Sequence, residues 1–180
     1  MLQTRPFTCY VSELFREHDP GPHPERPARI DAVMHAVRSA DAPVEEALPA
    51  ASQDLERVHP PAFLASIREL CESGGGAIDL DTVVSKRSYD AAVVAAGAAT
   101  AAVDAVLRGD LQAAFCLGRP PGHHAEAARA MGFCLVNHAA VAAAQFHEHG
   151  ITSTGVDALS RAAGISKRTL YKRFGSKDGV

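Results

Sequence analysis

The sequence predicts an α/β fold, a parallel sheet with helices packed on it, followed by a small all-α helix-turn-helix tail. Two observations carry the first part. Short β-branched, aromatic or wholly apolar runs alternate with helical patterns, the order that builds parallel sheets, and one long Ala/Val helix is apolar nearly all round, so it must be buried on several sides. A third observation carries the tail, where two short capped helical patterns rich in Lys and Arg close the chain.

The elements follow in order. FTCYV, 7–11, reads as a first strand. HDPGPHPERP, 18–27, holds four prolines and a glycine and reads as a rigid loop. Pro27 opens a helix over about 28–39, with Ile30, Val33, Met34 and Val37 at i, i+3, i+4 and i+7 on one face. Residues 41–51 read as a Pro/Ala connector. A helix over roughly 61–72 places Phe63, Leu64, Ile67, Leu70 and Cys71 together and stops at Gly74-Gly75-Gly76. Residues 79–85 are extended, and Ser88 is expected to cap the Ala/Val helix, about 89–108. AAFCLG, 113–118, reads as a buried parallel strand, and 137–150 as a further helix.

Composition is that of a soluble globular chain: 180 residues, 47% hydrophobic and 22% charged. The net charge of −3 is unevenly spread, with six Lys/Arg against three acids in 146–180 and twelve against eighteen in 1–145. Such asymmetry suggests two different partners. Cys9, Cys71, Cys116 and Cys134 form no C-x-x-C pair, which argues against a zinc ribbon or thioredoxin motif, and Cys116 and Cys134 read as small core residues. The N-terminus has no signal-peptide pattern. No stretch is expected to span a bilayer, because Asp104 interrupts the Ala/Val run. A cytoplasmic protein without a membrane partner is the expectation.

The sharpest motif follows the strand at 113–118: Arg119-Pro120-Pro121-Gly122-His123-His124-Ala125, then Gly132-Phe133-Cys134. Active sites of open α/β sheets lie at strand C-terminal ends. Two adjacent imidazoles offer one group to take a proton from water and one to protonate a departing amine, which amide hydrolysis requires. The string RPPGHHA…MGFC…N resembles the zinc-dependent histone deacetylase and acetylpolyamine amidohydrolase family. HDPGPHPERPARI (18–30), DLERVHPPAFLASI (54–67) and DTVVSKRSYDAAVVAAGAATAAVDAVL (81–107) resemble it in the same order, so the likeness covers 18 to about 145. It implies an incomplete arginase/deacetylase-like parallel sheet acting on acetylated lysine or polyamine. His123 and His124 take the places of the catalytic tandem histidines. Phe133 and Gly132 take those of the acyl-chain channel. The Asp19–Arg26 loop becomes the rim of the entrance, with His23 able to touch substrate. His138 departs from the asparagine usual in the bacterial members.

The resemblance also implies zinc, held by an Asp-x-His pair and a later Asp, and an oxyanion tyrosine, all downstream of the tandem histidines. Here no Asp-x-His follows residue 124, and TSTGVDAL stands where that strand is expected. His147 and His149, two apart on a helix, do not share a face. No metal ligands are therefore assigned, and hydrolysis by this polypeptide alone is not expected.

In FHEHGITSTGVDALSRAAGISKRTLYKRFGSKDGV, 146–180, Thr154 or Ser153 can cap a helix over about 155–163, Gly164 ends it, and Ser166 caps the next, about 167–174. Val156, Leu159, Ala163, Ile165 and Leu170 would pack inward. The string resembles the TetR-family DNA-binding segment. That implies phosphate contacts from Tyr171, Lys172 and Lys177 and a groove-facing run through Ser166, Lys167, Arg168 and Thr169, with Thr154 at the first helix start. Residues 139–150 fit that family's first helix and equally the deacetylase helix after the GFC loop. The expected division is 1–145, a partial deacetylase-like domain, and 146–180, a partial TetR-type segment. Three functional expectations stand: a deacetylase by ancestry, inactive as this chain; a DNA-binding regulator fragment; and a fused remnant without function. Nothing in the residues sets an oligomeric state.

Overall fold

The computed structural model describes residues 7–151 and Arg168. The elements, in order, are β1 (Phe7–Val11), a 3-10 turn (Glu13–Arg16), α1 (Ala28–Ser39), β2 (Val44–Glu46), α2 (Ser52–Glu56), α3 (Pro61–Glu72), β3 (Gly75–Ala77), β4 (Val83–Ser85), α4 (Ser88–Arg108), β5 (Ala113–Cys116), α5 (His138–Phe146) and a π turn (His147–Ile151).

The central sheet is parallel, in the order β2-β1-β5. Its register pairs Cys9 with Val44 on one side and with Phe115 on the other. β3 and β4 form a separate antiparallel pair. The expected parallel α/β architecture is thus present, with strands joined through helices as parallel pairing demands.

Helix α4 sits at the middle because its small side chains let other elements approach closely. Ala91, Ala92, Ala96 and Ala98 are fully buried. One side joins Cys9, Tyr10, Phe15, Ile30, Met34, Val37 and Leu117 in a core under the sheet. The other joins Leu55, Leu64, Ile67, Leu135, Val136 and Val141 in a second core beneath the histidine loop. At Gly97 a Cβ would collide with the Leu48 carbonyl, so the connector can cross the helix only over a glycine.

Several expectations need correction. The connector 41–51 contains β2, whose three residues are all exposed, and the short helix α2 follows it. Ser88 is the first residue of α4, not its cap; its Oγ accepts from the Ser85 amide and lies 2.7 Å from His18 Nδ1. Helix α3 does stop before the glycine run, and Gly75–Ala77 within it continues as a strand. β5 is not fully buried, since Phe115 remains 47% exposed on the sheet's edge among the described residues. Helix α4 does meet the length and apolarity of a membrane span, Asp104 notwithstanding. Half of its apolar window is buried inside the fold, as befits a core helix.

Candidate active site at the C-terminal end of β5

β5 leads directly into the histidine loop, as the position of the motif requires. The Arg119–Pro120 peptide is cis. Arg119 is buried and forms a two-point pair with Glu25, Nε to Oε1 at 2.9 Å and Nη2 to Oε2 at 2.5 Å, while Nη1 donates to the Phe15 carbonyl at 2.5 Å. Glu25 is 1% exposed and also accepts from Arg29. His18 lies beside it, and burial, then the Arg119 charge, lower the His18 pKa to about 4. A buried carboxylate is tolerated when its charge is paired and its oxygens are satisfied. This network ties the proline-rich loop 18–27 to the base of the histidine loop.

Past Pro121, two devices set the backbone. The first is the Cys134 thiol, wholly buried. Its Sγ accepts from the amides of His123 and His124, both at 3.4 Å, and donates to the Gly132 carbonyl at 3.3 Å. The second is a tight turn in which Met131 and Cys134 exchange backbone hydrogen bonds across Gly132 and Phe133. Both central residues have positive φ, 56° and 68°, the signature of a type I′ turn. Glycine adopts this freely; Phe133 does not, and such a backbone persists only where surroundings hold it. The Phe133 amide donates to Thr82 Oγ1 at 3.3 Å, and its ring meets His23 edge-on at 4.6 Å.

A further clamp closes the loop. Buried His59 donates from Nδ1 to the Ala127 carbonyl and accepts the Asn137 amide at Nε2. Asn137 caps α5 through Ala140 and holds the Ala125 carbonyl. His138 packs under Gly122, where a Cβ would strike the imidazole. Its Nε2 is buried without a hydrogen-bond partner among the described residues, and burial lowers its pKa to about 4.

The result is a rigid platform with His123 and His124 on its surface, ring centroids 4.2 Å apart and both side chains exposed. Gly132 lies against His124, since a Cβ there would come within 3.0 Å of it. The structure thus gathers His124 with Gly132 and Phe133 with His23, the residues singled out as catalytic and channel-forming. Thr154, Ser166, Lys167, Thr169, Tyr171, Lys172 and Lys177 lie outside the described residues, as do the expected helix over 155–163 and all of the one over 167–174 but Arg168. Arg168 is helical and exposed. The sequence reading placed Cys134 in the core, where it lies, without its hydrogen bonds, and missed the roles of His59, Glu25 and His18. Only Glu25, an acid inside a proline-fixed loop, carried a visible signal.

Among the described residues, no group of three or more His, Cys, Asp or Glu is arranged to hold a metal ion. Beyond Ile151 the only side chains of ligating type among those four are Asp157 and Asp178. The described residues thus offer no set that fits the ion.

The histone deacetylase domain family matches residues 23–156. That span includes every part of the platform from His23 to the end of α5. The chain belongs to the histone deacetylase family. A histone deacetylase-like amidohydrolase of Pseudomonas aeruginosa is 34% identical, over 94% of this chain and 51% of that protein. The polyamine deacetylase HDAC10 of Homo sapiens is 35% identical, over 74% of this chain and 22% of its own. The crystal structure of the HDA15 HD domain superposes with a TM-score of 0.77 at 30% identity, covering 81% of this chain and 44% of that one. The histone deacetylase frame is therefore shared, and the chain spans about half the length of the Pseudomonas relative. The family of bacterial regulatory proteins of the tetR type matches residues 139–180, overlapping the deacetylase match on α5.

Proposed function

We propose that this chain carries the acid–base part of a deacetylase-type amide-hydrolysing site and does not complete the reaction by itself. The observation behind this reading is the pair of exposed imidazoles, 4.2 Å apart, on a loop whose backbone is held by a buried thiol. In that role one histidine removes a proton from the attacking water and the other returns one to the amine nitrogen as it leaves. Gly132, Phe133 and His23 form the wall along which an acyl-lysine or acetylpolyamine chain lies. What supports the second half of this reading is that, among the described residues, no side chains are grouped to hold a metal ion.

The test is hydrolysis of an acetyl-lysine peptide and of an acetylpolyamine, with and without added zinc. No turnover above buffer is expected for the chain or for His123→Ala and His124→Ala. Zinc-dependent turnover that either substitution abolishes would refute the inactivity.

A second reading is favoured by the tetR-type match at 139–180. The tail binds DNA through its basic helix, using Lys167, Arg168, Thr169, Tyr171, Lys172 and Lys177. Specific recognition by such segments reads two half-sites through a dimer, so binding by one segment alone is weak and governed by phosphates. Affinity should fall steeply as salt rises from 50 to 200 mM, by roughly tenfold to a thousandfold for a few contacts. Tight, sequence-specific binding that persists at 200 mM salt would contradict this.

A further inference from the structure

We propose, on the reading of His123 as an acid–base group, that His138 is its positioning residue: the ring supports the histidine loop from beneath, and does so only while it is neutral.

His138 is the first residue of α5, and its imidazole lies between the α4 backbone and the loop that carries the tandem histidines. A Cβ on Gly122 would run into Cγ and Nδ1 of the ring, and a Cβ on Gly118 would sit 3.9 Å from Nδ1. The ring therefore fills the space beneath both ends of the Gly118–Gly122 turn. The Gly122 carbonyl accepts the Ala139 amide at 3.0 Å. That amide is one of the helix-start donors that have no partner within the helix. Loop and helix are thus joined at Gly122 by one hydrogen bond and one ring contact. His123 comes next in the chain, its own amide tied to Cys134 Sγ at 3.4 Å. A displacement of Gly122 carries His123 with it.

The state of the ring follows from its partners. One ring nitrogen is hydrogen-bonded to the Ala92 backbone on α4, and it is Nδ1, since Nε2 is sealed from solvent with no partner among the described residues. A neutral imidazole with its proton on Nδ1 fits this seat: it donates to a carbonyl and leaves only a lone pair at Nε2. A second proton would make a buried N–H with nothing to accept it. It would also put a positive charge in the first turn of α5, where the helix dipole is already positive. The titratable groups whose charge reaches the ring are His59, between α2 and α3, and His123 on the loop, and both oppose a further proton. Burial, the largest effect, lowers the His138 pKa to about 4. Acid therefore favours a form in which the ring has left its seat and Gly122 is unsupported.

Amide hydrogen exchange of the full chain, read by NMR, tests this. The Ala139 amide reports on Gly122, and amides within α4 report on the whole fold. The released ring takes up its proton near 6.5 and the seated ring near 4. Opening at Ala139, corrected for the intrinsic exchange rate, should therefore become about twentyfold more frequent between pH 7 and pH 5. Nitrogen spectra should show the seated His138 protonated on Nδ1 alone at both values. In His138→Asn the acid dependence at Ala139 should vanish while α4 stays protected. His138→Phe keeps a ring beneath Gly122, takes no proton and should lose the dependence as well; it carries the test if the asparagine variant does not fold. Protection at Ala139 that is flat from pH 7 to pH 5 in wild type overturns the proposal. So does an acid dependence that survives both substitutions, which assigns the proton to His59 or His18. A His138 ring that titrates near 6.5 with Ala139 still protected overturns it, as does an equal acid dependence at Ala139 and in α4, which makes the opening global. Failure of the acid–base reading shows elsewhere, in turnover that survives His123→Ala.

Discussion

At the scale of single residues, the histidine platform depends on two contacts of opposite legibility. The Pro-Pro-Gly-His-His string announces a stiff loop carrying paired imidazoles, because those residue types restrict the backbone wherever they occur. The role of Cys134 is silent in the sequence. Its sulfur serves amides ten and eleven positions earlier, a proximity that exists only once the turn at Gly132–Phe133 has formed. Gly122 offers the sharper test. Its carbonyl accepts the Ala139 amide at 3.0 Å, which prevents the backbone from retreating, and the His138 ring fills the space of a side chain. Gly122→Ala should destabilise the fold by about 1–3 kcal/mol through overpacking. In a double-mutant cycle with His138→Ala, that cost should shrink, because the smaller neighbour yields room. Urea unfolding midpoints read both, and a cost independent of residue 138 would show that the collision is not what matters.

At the scale of elements, the strong periodic helices were legible and the short pieces were not. α1 and α3 fall where their apolar spacing places them. β2 escaped because Val44, Glu45 and Glu46 are all exposed, and backbone pairing with the edge of β1 alone makes it a strand. Side-chain alternation cannot report a strand without a buried face. The polar bridge among His18, Ser88, Glu25 and Arg119 was equally hidden, since it joins residues up to about a hundred positions apart. It has a pH consequence. His18 is held neutral, its pKa lowered from 6.5 to about 4 by burial and then by Arg119. The unfolded chain therefore binds a proton that the folded chain refuses, and stability falls as pH drops from 6.5 toward 4. The loss by the bottom of that window is on the order of 3 kcal/mol. His18→Asn, which cannot take up that proton, should flatten this part of the stability profile. An unchanged acid dependence would remove His18 from the account.

At the scale of the whole molecule, the chain holds a deacetylase frame from its first strand to α5, and the order of its motifs made that frame readable before any coordinates. What the motifs could not convey was how α5 is used. Its sequence satisfies two families at once, and only burial shows which face is committed to the core. The exposure of the tandem histidines was also illegible, because exposure depends on what else packs nearby. Among the described residues the tandem-histidine platform stands without a group of side chains arranged to hold a metal ion. Zinc content after equilibrium dialysis of the purified chain tests it most directly. No stoichiometric zinc is expected, and no change in that result on His123→Ala or His124→Ala. One tightly bound zinc per chain would contradict it.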